Sequence, residues 1–373
     1  MGRIHKISPF LVMDILKEAQ GMEDVVHMEI GEPDLDPPPG VIEAVHKALR
    51  ERKYFYTPSL GLWALRERIA KHYFDYYGVD VSPSRVVVTT GTSSALLVAY
   101  AVFVDGSDRV VLPDPSYPCY KNFAHLLDIE PLMVNVDAGT KYQVTVDRLE
   151  FLEGYRAVHI STPTNPTGTL YEEENLRSIS NFCEERGLYL ICDEIYHGLV
   201  YDRRERTALE FSSKAVVING FSKAFCMPGF RLGWIIMPDE DSVRKAELIL
   251  QNLYISAPTL SQYAAIEAFD YLYLSKVRET YKNRRDMLLE ELKDVGRVEL
   301  VPDGAFYLWM DISKYRIDSY QLSMRLLREA RVAVTPGKDF GNNNTERYIR
   351  ISFAKDGGTL KEGARRIRDY LAM

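Results

Sequence analysis

The sequence predicts an α/β protein: a large domain built on a mostly parallel seven-stranded sheet flanked by helices, joined to a smaller α+β domain. Three observations predict it. Short β-rich runs alternate with helical patterns over most of the chain. Several of those runs are apolar almost throughout, the pattern of strands buried on both faces beneath helices. After about residue 275 the alternation gives way to a long charged helix followed by scattered strands.

The runs, in order, are Arg85–Thr90, Arg109–Pro113, Leu132–Val136, Arg156–Ser161, Leu188–Cys192, Lys214–Asn219 and Arg231–Met237. Between them lie amphipathic helices. Glu172–Arg186 sets Leu176, Ile179, Phe182 and Cys183 on one stripe, has acids in its first turn and stops at Gly187. Val41–Arg52 and Leu62–Tyr77 are patterned alike. Beyond them the reading gives a helix over Leu274–Val295, strands at Arg297–Val301 and Ala305–Asp311, and a helix near Tyr320–Ala330. Strands around Val332–Thr335 and Arg347–Phe353 and a terminal helix complete it. The expected division is a large domain over 41–275 and a small domain formed by 1–40 with 276–373.

Composition narrows the function classes. With 373 residues, 46% of them hydrophobic, the chain is long enough for two or three domains with large cores. A formal net charge of -7 argues against a nucleic-acid partner, whose phosphates an acidic surface repels. Cys119, Cys183, Cys192 and Cys226 form no C-x-x-C pair, so neither a metal site nor a disulfide framework is expected. The longest apolar stretch, Ala95 to Val104, is ten residues, too short to cross a bilayer as a helix. MGRIHKISPF carries no signal-peptide run, and the expected location is the cytoplasm.

Four strand ends carry chemistry. RVVVTT leads into Gly91, Thr92 and Ser93 at the start of an apolar helix, where free N–H groups bind anions. RAVHIS leads into a turn made rigid by Pro163 and Pro166, which aims the amide of Asn165. LYLIC runs into Asp193 and then Tyr196, placing a carboxylate where open α/β sheets bind ligands. Lys223 follows the KAVVIN run in an apolar setting, which lowers an amine's pKa and suits it to Schiff-base chemistry, and Arg231 eight residues on suits a phosphate. Taken singly, each has an ordinary reading: a surface lysine, a helix N-cap aspartate, a structural ion pair, a loop amide.

Their joint order is the informative feature. From about residue 25 to the C-terminus the chain resembles the class I/II, fold type I aminotransferases that use pyridoxal 5'-phosphate (PLP). The stretches that carry the resemblance are GEPDLDPPP, YTPSLGLWALRERIA, TTGTSSAL, PSYPCY, STPTNPTGTL, CDEIYHGLVY, NGFSKAFCMPGFRLGW and YIRISFA, in the family's order.

The resemblance implies a role for each matching position. Lys223 holds PLP as a Schiff base and, once freed, moves the proton between substrate and cofactor. Asp193 keeps the pyridine nitrogen protonated, and Asn165 and Tyr196 hold the cofactor's phenolate oxygen. Gly91, Thr92, Ser93, Ser222 and Arg231 take the phosphate, and Tyr117 stacks on the ring. Many relatives have a serine where Gly220 stands, which puts one phosphate contact in question and leaves Ser222 to compensate in part. Arg350 grips the substrate α-carboxylate and Gly31 lets the backbone approach the substrate. Tyr56 reaches the phosphate of a neighbouring subunit, which makes the active unit a homodimer with shared sites.

The implied reaction moves an amino group between an L-amino acid and a 2-oxo acid. Glutamate and 2-oxoglutarate are the expected first pair; aspartate, alanine and aromatic amino acids stay open for the second. Some aspartate-using relatives place a lysine where Ser93 stands, which weakens that choice. Phe10, Tyr54, Phe55 and Phe306 are candidates for an apolar side-chain pocket. A PLP-dependent β-lyase is the rival reaction on the same residues. A non-catalytic PLP-binding sensor is disfavoured, because such regulators carry a DNA-binding segment ahead of the domain and GEPDLDPPP already begins at Gly31.

Overall fold

The computed structural model describes residues 3–372 of the chain. Its central sheet has seven strands, in the spatial order Val86–Thr89, Gly233–Ile236, Val216–Gly220, Tyr189–Asp193, Ala157–Ser161, Arg109–Asp114 and Glu130–Asn135. All pairings are parallel except the two made by Gly233–Ile236, which runs against both neighbours.

The apolar runs have the cause expected of them. Val86, Val88, Leu190, Cys192 and Val217 face one hydrophobic core, while Val87, Ile191, Val216 and Ile218 face another on the opposite side of the sheet. Successive side chains thus enter different cores, and neither parity of a central strand is left for polar residues.

Element ends moved by a few residues, each for a local reason. The last run of the sheet begins at Gly233 because Arg231 sits in the left-handed region (φ 53) at the end of a short 3₁₀ turn. The helix expected at Val41 starts at Pro39, which fits the first turn where its missing N–H costs nothing. The long helix, Tyr271–Leu292, starts three residues early because the Asp270 carboxylate caps the Tyr273 N–H.

Beyond that helix lies a four-stranded antiparallel sheet, ordered Thr335–Pro336, Tyr348–Ser352, Tyr307–Asp311 and Arg297–Val298. The N-terminal segment joins this part of the chain. Val26–His27 pairs with Val332–Ala333, and Asp34 takes both terminal nitrogens of Arg284, at 2.6 and 3.0 Å. Ahead of them, helix Leu11–Ala19 packs Ile15 and Ala19 on Met324, Leu327 and Ala333.

Candidate active site

The parallel strands all end on one side of the sheet, and the chain leaving them forms the floor of a cleft of about 410 Å³. Thr92, Ser93, Tyr117, Asn165, Asp193, Tyr196, Ser222, Lys223 and Arg231 line it, and Gly31 and Arg350 enter from the opposite side. Residues 31 and 350 thus meet residues read from four separate strand ends.

Lys223 leaves the strand Val216–Gly220 and points its amine into the cleft, where Nζ donates to the Gly31 carbonyl at 2.7 Å. Burial pushes its pKa down to about 8, with the Arg350 charge adding to the effect and Glu32 opposing it. The aromatic rings of Phe306 and Tyr196 lie 5.6 and 6.0 Å from the ammonium. An amine at this pKa exchanges protons near neutrality, as an acid–base group must.

Asp193 is the last residue of its strand and is 3% exposed. Burial pushes its carboxyl up to about 6, opposed by hydrogen bonds from the Tyr120 hydroxyl at 2.8 Å and the Ile195 N–H at 3.1 Å. Tyr120 is held in turn by His159, whose ring lies 4.2 Å away centre to centre. Such a carboxylate becomes fully ionised when a cationic partner faces it.

The turn after Thr89 opens the helix Thr92–Phe103, with Gly91 at φ 84 as its N-cap. A Cβ at Gly91 would sit 2.5 Å from Nη2 of Arg231, so only glycine lets the guanidinium lie across this helix terminus. Arg231 is anchored by donating to the Pro228 carbonyl at 2.9 Å. Helix N–H groups, the Ser222 hydroxyl and a guanidinium on one side of the cleft match a phosphate dianion. At Gly220 a Cβ would fit tightly, meeting the Leu232 carbonyl and Thr92 Cγ2, both at 3.1 Å, so those neighbours would have to give by a few tenths of an ångström.

Arg350 is 7% exposed, so it is not an arginine on the outer face of its strand. It donates to Asn165 Oδ1 at 2.8 Å, the Glu29 carbonyl at 2.7 Å and Thr335 Oγ1 at 3.2 Å, and its guanidinium lies 4.1 Å over the Tyr307 ring. Its Nε has no partner. A buried cation with no carboxylate bound to it, open to a cleft, is a ready anion grip. Gly31 is required by close approach: a Cβ there would fall 1.8 Å from the Tyr307 hydroxyl, which bonds Tyr196 at 2.9 Å.

Some expectations were not met. Tyr54 and Phe55 are 47% and 68% exposed and line no part of the cleft; Phe306 is fully buried, its ring behind Lys223 at 5.6 Å, so of that group only Phe10 lines the cleft surface. An aromatic side chain reports apolar character and says nothing about which way it faces. Tyr56, expected at the phosphate of a neighbouring subunit and not at that of its own chain, is 79% exposed and lies outside its own cleft, as that expectation has it. Sequence reading missed Tyr120, Tyr307, Asp339 and Phe340, all of which line the cleft. The second tyrosine of PSYPCY was the only visible signal among them.

A further cavity of about 450 Å³, lined by His72, Tyr77, His197 and Arg278 among others, contains none of the residues expected at the site. Among the described residues no cluster of three or more His, Cys, Asp or Glu could hold a metal, and no helix is long and apolar enough to cross a membrane.

Comparison with known proteins gives the same answer as the cleft. Residues 23–367 match the family model described as aminotransferase class I and II. The chain is 37% identical to the (5-formylfuran-3-yl)methyl phosphate transaminase of Methanocaldococcus jannaschii, over 99% of this chain and 98% of that one. It is 36% identical to a valine–pyruvate aminotransferase of Mycobacterium tuberculosis, over 98% and 97%. The solved aspartate aminotransferase of Thermotoga maritima superposes with a TM-score of 0.93 at 32% identity, covering 100% and 99% of the two chains. The match spans nearly the whole chain and agrees with the chemistry of the cleft: the chain belongs to the class I and II aminotransferases, PLP-dependent enzymes that transfer amino groups between amino acids and 2-oxo acids.

Proposed function

We propose that the enzyme takes glutamate and 2-oxoglutarate as one substrate pair and works as a cytoplasmic homodimer with the cleft as its active site. The observation that carries the site is the convergence of Lys223, Asp193, Asn165, Tyr196, Arg231 and Arg350 on one cavity. When bound, PLP supplies the electron sink that accepts the pair left on the substrate Cα, and it stores the amino group between half-reactions.

The chain's own residues do the rest. Lys223 holds the cofactor and, with its lowered pKa, moves the proton at the substrate Cα. Asp193 would hold the proton on the cofactor's ring nitrogen, and the Tyr120 hydroxyl and Ile195 N–H fix its two carboxylate oxygens for that task. Asn165 and Tyr196 would donate to the cofactor's ring hydroxyl oxygen, and Tyr117 would hold its ring. Gly91, Thr92, Ser93, Ser222 and Arg231 bind the phosphate. Arg350 orients the substrate by its α-carboxylate, and Asn165, bonded to Arg350, couples the substrate and cofactor positions.

Tyr56, exposed on its own chain, is read as reaching the phosphate of the partner, with 41–275 as the large domain and 1–40 plus 276–373 as the small one. The four unpaired cysteines are in keeping with a reducing compartment. The test is the visible spectrum of the purified protein loaded with PLP, followed during addition of single amino acids. Loss of the lysine-bound band with gain of the pyridoxamine 5'-phosphate band, reversed by 2-oxoglutarate, is expected. Release of ammonia and pyruvate with no pyridoxamine form would reject transamination.

A further inference from the structure

Resting on the reading of the cleft as a PLP site, we propose that Tyr307 is a positioning residue with two separable tasks: its hydroxyl strengthens the Tyr196 hydroxyl that meets the cofactor, and its ring seats the Arg350 guanidinium that meets the substrate. Strand Tyr307–Asp311 runs antiparallel to Tyr348–Ser352, with Trp309 directly opposite Arg350. Tyr307 is two positions along on the same face, so it reaches Arg350 diagonally, and the guanidinium carbon lies 4.1 Å from its ring centre. The Phe340 ring centre lies 4.8 Å from the same carbon. Aromatic rings hold a guanidinium without neutralising it, so its charge stays available to an incoming carboxylate.

At its other end the Tyr307 hydroxyl lies 2.9 Å from the Tyr196 hydroxyl, its one hydrogen-bond partner among the described residues. Each phenol carries a single proton. With Tyr196 donating to the cofactor's ring oxygen, the Tyr196 oxygen is the acceptor of this pair and Tyr307 the donor. Donation into Tyr196 polarises its O–H and strengthens what it gives onward. The charges nearby favour the same direction. Burial pushes both phenols up, but at Tyr307 the Arg350 charge opposes the rise, while at Tyr196 the neighbouring Tyr307 adds to it. Tyr307 is therefore the better donor of the two. The reach is made possible by Gly31, where a Cβ would fall 1.8 Å from this hydroxyl. A tyrosine that only filled core space would need neither the hydroxyl contact nor the arginine contact, and its loss would register in stability alone.

The experiment separates hydroxyl from ring in the PLP-loaded enzyme. In Tyr307→Phe the pH midpoint of the lysine-bound visible band is expected to rise by about half a unit to one unit. The sign follows from the cofactor's ring oxygen: with its negative charge less well held, the Schiff-base nitrogen beside it keeps its proton to higher pH. KM for the amino acid should change less than about threefold, because the ring still seats Arg350. In Tyr307→Leu the midpoint should rise by the same amount and KM should rise about tenfold with it. Measured in a Tyr196→Phe background, the Tyr307→Phe shift should vanish, since it acts through that hydroxyl. An unmoved midpoint in Tyr307→Phe, or an equal shift without the Tyr196 hydroxyl, would overturn the inference and leave the aminotransferase reading intact. So would a KM that rises as much in Tyr307→Phe as in Tyr307→Leu. Absence of any lysine-bound band in the unaltered protein would overturn both.

Discussion

The floor of the cleft and its N-terminal wall are built in opposite ways. The floor is made of strand ends: Asp193 closes one strand, Lys223 stands three residues past another, and the ladders beneath them are buried on both faces. The wall is a nine-residue helix with two fully buried side chains, held at its N-terminus by the carboxylate of a residue more than 320 positions away. One is fixed by backbone hydrogen bonds inside two cores, the other by a few side-chain contacts at the rim. Groups that move protons are placed on the part that cannot shift, and groups that meet a variable side chain on the part that can be changed cheaply.

The largest effect expected on the floor is from Lys223→Ala. Losing the proton-transferring amine costs about 10²–10⁴-fold by itself, and covalent attachment of PLP is lost with it. The visible band should be absent and turnover undetectable, while the far-UV circular dichroism stays unchanged. Retained turnover would remove Lys223 from the chemistry. Arg350→Ala follows, because two charge-assisted hydrogen bonds to the α-carboxylate are worth about 1.5–3 kcal/mol each. KM for the amino acid should rise roughly a hundredfold or more, with PLP affinity nearly constant. The reverse pattern would assign Arg350 to the cofactor.

A third effect is set by pH. The folded pKa of Lys223 is lowered to about 8, so the neutral amine becomes the major form above that value. Capture of PLP by the cofactor-free protein should therefore speed up about tenfold per pH unit below 8 and level off above it. Stopped-flow absorbance from pH 6 to 9 reads this directly. A profile still climbing in proportion up to pH 9 would mean that burial and Arg350 do not depress this amine.

The same contrast explains what was legible in the sequence. Asn165, Asp193, Lys223 and the Gly91 turn each follow an apolar run by a few residues, so periodicity placed them at strand ends and the motif order tied them together. The wall leaves no such trace. Asp339 and Leu11 meet only through tertiary folding, and Tyr307 reaches Gly31 from a strand in another sheet. Gly220 shows a finer limit. From sequence it is a missing serine; in the fold it is a point where Thr92 and Leu232 close in to 3.1 Å of where a Cβ would lie.

The smallest expected effect is the one that separates the two regions most cleanly. In Asp339→Ala the Leu11 and Val12 N–H groups lose their acceptor, a loss of cap worth about 0.5–2 kcal/mol. Part of that will be recovered by water, because the helix end is only half-buried. Asp339→Asn keeps one acceptor oxygen and should lose less. Against this small change in the urea midpoint, the ratio of leucine to aspartate specificity constants should fall severalfold, since a helix that lifts from the rim no longer encloses an apolar side chain and its freed N–H groups donate to a carboxylate. PLP affinity and the visible band should not move, because no strand end is touched. A loss of PLP binding in Asp339→Ala would mean that wall and floor form one cooperative unit, and that the division of labour between them is wrong.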